Sequence, residues 1–171
     1  KNDLFIVATD SYRLAEKLIS STSEEVNVLI PATALVELQR IIGDYKEDVE
    51  ITHDDQQVLF TIGEIELVAR LIDGNYPDYK KLIPQKFESS ALIKKTDFIN
   101  ITKVSSLFAR ESAGSVSIEL SQEDGTVSIH SIASQLGENT ASAEAEVKGE
   151  GSITLNSRYV LDALSAIDGD V

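Results

Sequence analysis

LNSRYVLDALSAIDGD at 155–170 repeats the pattern of IPATALVELQRIIGD at 30–44, and this pairing decides how the chain is organised. A shift of 125 residues sets Leu155-Asn156 on Ile30-Pro31 and Val160-Leu161-Asp162 on Leu35-Val36-Glu37, and brings Gly169-Asp170 within one residue of Gly43-Asp44. In the first copy Leu35, Leu38 and Ile42 recur at intervals of three and four. Pro31 suits a helix entrance and Gly43 a helix exit, so the pattern predicts an amphipathic helix over 32–42. In the second copy Asn156 caps a helix with Val160, Leu161, Leu164 and Ile167 on its apolar face. Each helix follows a short apolar strand, 26–30 in one copy and 152–155 in the other. A similar shift lays EDGTVSIHS at 123–131 on KNDLFIVAT at 1–9, each a polar turn feeding a strand. The copies are out of phase: the first lacks its opening strand and helix, and the second stops where a counterpart of 49–72 is due. A helix without its partner strands would leave a sheet edge bare, so the pattern predicts a fragment of a longer repeat protein, with at least about 30 more residues on its C-terminal side.

The remaining elements follow from apolar alternation and turn formers. LFIVATDSYRLAEKLIS at 4–20 reads as a hairpin around Thr9-Asp10-Ser11, and 49–52, 57–62 and 65–72 as a strand meander. Gly74-Asn75-Tyr76-Pro77-Asp78-Tyr79, with Pro84-Gln85 beyond it, is the linker candidate. Beyond it, 89–95 reads as a strand. Thr96 caps a helix with Phe98, Ile101, Val104, Leu107 and Phe108 on one face. Strands at 115–120 and 126–131 flank a turn at 123–125, a polar loop covers 135–140, and a further strand covers 141–147.

The chain has 171 residues, 42% hydrophobic and 26% charged, which suits globular domains and not a disordered tail. No apolar run approaches the ~20 residues of a membrane helix and there is no signal-peptide pattern, so a soluble, cytoplasmic protein with no membrane partner is expected. With no Cys and two His, thiolate chemistry is excluded and metal chemistry has few ligands, so no metal and no cofactor are expected. Fifteen basic against 29 acidic residues give a net charge of −14, which argues against indiscriminate nucleic-acid binding. Both halves are acidic, with 8 basic and 16 acidic residues to Pro84 and 7 and 13 after it.

Three stretches carry a family resemblance. VATDSYRLA at 7–15 resembles the VATDGHRLA signature of bacterial sliding clamps, the beta subunits of DNA polymerase III. LIDGNYPDYKKLIP at 71–84 resembles that family's DGxFPDYxxxxP linker between its second and third domains. NSRYVLDALSAI at 156–167 is similar to its third-domain helix, and the motifs stand in the family's order. The resemblance implies an α+β DNA clamp fold of repeated strand-helix-strand units, with antiparallel sheets outside and helices lining a ring. It implies that residues 1–84 are the C-terminal half of domain two with its linker, and residues 85–171 are domain three without its last strands. It further implies a non-enzymatic processivity factor, a head-to-tail homodimer that encircles double-stranded DNA. Its partners would be the DNA polymerase III alpha subunit, the clamp loader and other proteins with clamp-binding motifs.

Residue by residue, the resemblance implies a partner-peptide pocket of Thr9, Ser11, Tyr12, Arg13, Leu14, Pro77, Lys81, Leu82, Asn156 and Tyr159. Leu, Pro and Tyr surface rimmed by Arg and Asn can anchor apolar side chains and fix a peptide backbone. Taken alone, 9–14 reads first as a hairpin turn with an exposed arginine, and it is the resemblance that reverses this preference. Ser11-Tyr12 stands where the family commonly has Gly-His, and Lys81 where it has Arg, without the planar fork of a guanidinium. DNA-facing candidates are Arg40, Lys94, Lys95, Lys103 and Arg158, on or beside the predicted helices, where lone cations are otherwise simply solvated. The family's basic positions at the start of the domain-two helix are Ala32 and Thr33 here. Leu107 and Phe108 match dimer-interface positions, with intradomain core as the alternative, and Glu138, Glu144 and Glu146 resemble the family's acidic interface edge.

His53 and His130 show no catalytic or metal spacing. The run Glu47, Asp48, Glu50, Asp54, Asp55 lacks the spacing of a calcium loop and reads as a solvated edge, and GEGS at 149–152 is not a phosphate loop. The main rival is an acidic β-rich peptide-binding adaptor unrelated to DNA. A hydrolase using Asp10, His53 and the acidic cluster is the weaker one, because no nucleophile, base and orienting group stand together.

Overall fold

Alternating burial along one strand organises the first half of the molecule. In the computed structural model, which describes residues 3–20, 26–43, 48–134 and 137–171, Val58, Phe60 and Ile62 all face inward from β4 (Gln57–Ile62). They form a core with Leu38 of the helix α1 (Ala32–Ile42), which lies over the meander β3 (Glu50–His53), β4 and β5 (Ile65–Arg70). Helix α1 has the predicted bounds. Pro31 stands at its N-cap position and the amide of Gly43 donates to the Gln39 carbonyl at its end. Gly63, at φ +57°, makes the tight turn between β4 and β5 that a side chain would resist. The hairpin of β1 (Asp3–Thr9) and β2 (Leu14–Ser20) is antiparallel, as expected from sequence, with Thr9 opposite Leu14. These elements belong to the unit Lys1–Ile83; the rest of the chain forms the unit Pro84–Val171.

The second unit contains one antiparallel sheet in the order β10-β7-β8-β9-β6, built from β6 (Ser90–Ile93), β7 (Ser115–Ser121), β8 (Thr126–Ala133), β9 (Gly137–Lys148) and β10 (Gly151–Asn156). Helix α2 (Lys95–Phe108) lies against β8, β9 and α3 (Ser157–Ala166). Its core joins Ile93, Ile101, Ala109, Val116, Ile118, Val127 and Ile129. Val171 exchanges both backbone hydrogen bonds with Ile93, so the far side of β6 is also paired there.

The repeat persists in the order of the elements. Helices α1 and α3 begin 125 residues apart, and hairpins β1–β2 and β8–β9 stand in corresponding places. Four local expectations change. Residues 26–30 are not a strand; their chain is held to the meander by a bond from the Ile72 amide to the Leu29 carbonyl, without a ladder. Helix α2 begins at Lys95 with Lys94 in the capping position, not at Thr96, and its buried face is Ile101, Thr102 and Ser105, while Val104 and Leu107 are exposed. The Thr102 hydroxyl donates to the Phe98 carbonyl (2.7 Å) and that of Ser105 to Asn139 Oδ1 (3.2 Å), which lets these small polar residues sit inside. The polar segment expected as a loop over 135–140 is strand from Gly137 onward, paired with β8 through Ala133. Residues 135–136 lie outside the described residues, as do Glu47 of the acidic run and Asp44 of the repeat.

Candidate functional site

The β1–β2 turn is built around Asp10. One carboxylate oxygen accepts from the amides of Tyr12 (3.1 Å) and Arg13 (3.0 Å), and the other accepts from Arg13 Nε at 2.9 Å. The Thr9 hydroxyl donates to the Arg13 carbonyl (2.8 Å) and accepts from the Ser11 amide (3.2 Å). Bonds from the Tyr12 amide first, then from the Arg13 side chain, hold the Asp10 carboxyl below its ordinary value of 3.8. A depressed carboxyl stabilises the turn above its ordinary pKa, and that contribution disappears as pH falls through the lowered one. Asp10 organises the turn that the sequence places at Thr9-Asp10-Ser11 but stands outside the expected peptide-pocket residues, although Asp after a strand, two and three residues ahead of free amides, is an Asx-turn signal. The turn leaves Tyr12 82% exposed.

Ser11 is held at φ +73°, the left-handed region that a side chain resists. Relieving about 1–2 kcal/mol of strain, less about 0.5–1 kcal/mol for the freer unfolded glycine, makes Ser11→Gly stabilising by about 0.5–1 kcal/mol. Urea denaturation should show the midpoint rise, and a fall would mean that the serine hydroxyl matters more than the backbone.

Pro77, Lys81 and Leu82 lie on a second segment of the same unit. Residues Tyr79–Leu82 form a 3-10 turn in which Lys81 pairs with Asp78 at 3.0 Å, and Leu82 is 71% exposed. This segment is tied to the hairpin: Tyr79 Oη donates to Glu16 Oε2 of β2 at 2.5 Å, and Lys80 Nζ lies 5.1 Å from the centre of the Phe5 ring on β1. Thr9–Leu14 and the linker residues are thus held on one connected framework. The bond to Glu16 is the main cause that pushes the Tyr79 hydroxyl up to about 12.

Asn156 and Tyr159 belong to the other unit. Asn156 Oδ1 accepts from the Arg158 amide (2.9 Å) as the expected cap of α3, and Nδ2 donates to the Ala113 carbonyl (2.9 Å). Tyr159 is half-buried. Of the cations, Arg40 on α1 pairs with Glu37 at 3.2 Å, and Lys95 Nζ donates to the Ile167 carbonyl at the end of α3. Lys94, Lys103 and Arg158 are exposed before or along the helices. Leu107 is half exposed and Phe108 half-buried. Glu138, Glu144 and Glu146 share the outward face of β9; among the described residues, β6 flanks only its last four residues, so Glu138 and Glu144 lie where β8 is the sole neighbour. Glu144 and Glu146 also line an open groove of about 520 Å³ with Lys94, Asp124 and Asp170.

Other acidic and imidazole groups have local roles. Asp54 accepts from the Gln56 and Gln57 amides (2.7 and 2.8 Å), which lowers its carboxyl pKa, and His130 Nδ1 lies 3.1 Å from the Thr140 hydroxyl. Among the described residues no group of three His or acidic side chains could hold a metal ion, and no helix is long and apolar enough to cross a membrane.

Comparison with known proteins adds what this geometry lacks. The family described as DNA polymerase III beta subunit, central domain, matches residues 1–78, and the C-terminal domain of the same subunit matches residues 80–171. The chain belongs to the DNA polymerase III beta-subunit family. The beta sliding clamp of Staphylococcus aureus is 38% identical over 174 residues, covering 99% of this chain and 46% of that protein. The sliding clamp of Bacillus subtilis superposes with a TM-score of 0.90 at 33% identity, over 98% of this chain and 45% of its own. The DNA polymerase III beta chain of Streptococcus pneumoniae gives 0.87 at 32% identity, over 97% and 45%. The beta-subunit chain therefore has the α+β sliding-clamp fold, and it spans about half the length of the curated relatives it matches.

Proposed function

We propose that the chain works as part of a bacterial replicative sliding clamp. In this reading 1–84 is the C-terminal half of domain two with its linker, and 85–171 is domain three without its last strands. The whole protein is a non-catalytic, cytoplasmic, head-to-tail homodimer that surrounds duplex DNA and tethers the polymerase alpha subunit, the clamp loader and other partners. The observation that carries it is the consecutive match of central and C-terminal beta-subunit domains along one chain, with the clamp fold in both. An adaptor unrelated to DNA has no support in these comparisons.

The partner-peptide residues in this reading are Thr9, Ser11, Tyr12, Arg13, Leu14, Pro77, Lys81 and Leu82 of the first unit, with Asn156 and Tyr159 carried over from the second. The exposed Tyr12 and Leu82 supply apolar surface beside the Arg13 and Lys81 cations, the composition that suits an apolar peptide with a polar backbone. Lys94, Lys103 and Arg158 face DNA more freely than Arg40 and Lys95, which already have protein partners. Leu107, Phe108, Glu138, Glu144 and Glu146 serve the subunit interface.

Fluorescence polarisation with a labelled Gln-Leu-Ser-Leu-Phe peptide tests the pocket. Saturable binding by the full chain, weakened at least about tenfold in Pro77→Ala/Tyr159→Ala, is expected, since truncating a hot-spot side chain costs about 2 kcal/mol or more. Equal affinity in both proteins would remove these residues from the site.

A further inference from the structure

The pocket needs two chain segments in register, and two side-chain contacts among the described residues join one to the other. The 3-10 turn at Tyr79–Leu82 spans four residues, has no side-chain cap and buries none of its residues. Its internal ion pair, Asp78 with Lys81, shapes the turn but does not attach it to the hairpin. Attachment comes from Tyr79, whose hydroxyl meets Glu16 across 63 residues of sequence, and from Lys80 over the Phe5 ring. Glu16 lies on β2 and Phe5 on β1, so the two contacts fix orientation as well as distance. The Tyr79 ring is further braced edge-on by Tyr76, with centroids 6.3 Å apart and planes at 73°.

Building on the proposed peptide pocket, we propose that Glu16 and Tyr79 are its positioning residues: their hydrogen bond locks the turn carrying Pro77, Lys81 and Leu82 onto the hairpin carrying Thr9–Leu14. Tyr79 stands two residues after Pro77 and two before Lys81, and Glu16 two residues after Leu14, so each partner is next to the wall it holds without belonging to it. A neutral phenol donating to a carboxylate makes a charge-assisted bond stronger than a neutral pair. Lys80 adds a cation–π contact at the same junction. Leu82, being exposed, is not held by burial, so loss of the latch lets it wander and makes the peptide order it on binding. Lys81, paired with Asp78 inside the turn, and Leu82, exposed, take no part in the latch.

The test is a peptide titration of the full chain, with labelled Gln-Leu-Ser-Leu-Phe, beside Tyr79→Phe, Glu16→Ala, their double variant and Glu16→Gln. Tyr79→Phe and Glu16→Ala should each weaken binding about fivefold, a cost on the scale of ordering one side chain. The double variant should be no worse than either, because both remove one bond. Glu16→Gln, whose amide oxygen still accepts from Tyr79, should keep most of the affinity. Thermal midpoints should stay together, since the contact is exposed. Trypsin cleavage after Lys80 and Lys81 should accelerate in Tyr79→Phe and Glu16→Ala and not in Glu16→Gln. Wild-type binding with no loss in any variant, or with losses that add, overturns the latch and leaves the pocket standing. No binding by the wild-type chain overturns the pocket and the positioning role that depends on it.

Discussion

Phe60→Ala is expected to destabilise the unit Lys1–Ile83 by about 3–5 kcal/mol, the cost of removing a buried aromatic ring whose site refills only in part. Phe60 is 1% exposed at the middle of β4, between Val58 and Ile62 on the same face, and the three side chains pack with Leu38 of α1. The loss would consume a large share of the 5–15 kcal/mol typical of a whole domain. Val68→Ala on β5 is the control: Val68 is 56% exposed and its truncation should stay within about 0.5 kcal/mol. The core around Ile129 and Val116 is a separate cluster, so the damage should be confined. Hydrogen exchange read peptide by peptide checks this. In Phe60→Ala, protection should fall across β3, β4 and β5 while β7 and β8 keep theirs. Equal loss in both units would mean that one cooperative core spans the chain.

What could be read from sequence was what neighbouring residues settle among themselves. Pro31, the three-four spacing of Leu35, Leu38 and Ile42, and Gly43 mark both ends of α1, and Asn156 marks the start of α3, because entry, stripe and cap are local properties. What was misread depends on side-chain hydrogen bonding and on partners distant in sequence. Residues 26–30 have the β-branched composition of a strand, yet a strand is made by its ladder, and the chain there finds one bond, to Ile72. Hydrophobicity alone puts Val104 and Leu107 on the inner face of α2, but Thr102 bonds back to Phe98 and Ser105 reaches Asn139, so small satisfied hydroxyls take the inside while Val104 and Leu107 stay out. Residues 137–140 look polar enough for a loop, and only pairing with β8 makes them strand. The site divides in the same way. The VATDSYRLA and linker motifs identified the family, but the contact of Tyr79 with Glu16 has no local signature, because it joins residues far apart in sequence.

Release from DNA on cutting is the largest effect expected. On the proposed clamp reading, a full-length protein carrying this sequence, loaded by a clamp loader onto a nicked circular plasmid, should remain through gel filtration and leave almost completely after one restriction cut. The reason is charge. This chain carries −14, and of its described helix cations Arg40 is paired with Glu37 and Lys95 bonds the Ile167 carbonyl, which leaves Lys103 and Arg158 to meet phosphates. A protein held by 6–10 phosphate contacts loses about 10³–10⁵ in affinity between 50 and 200 mM salt. A closed ring needs no such contacts to stay on a circle, so retention there should change little over that range. Reversing the charge in Lys103→Glu/Arg158→Glu should likewise leave retention on the circle nearly intact, while slowing loading through lost electrostatic steering. Persistence on linear DNA with steep salt dependence would instead mean that phosphate contacts hold the protein, and encirclement would have to be abandoned.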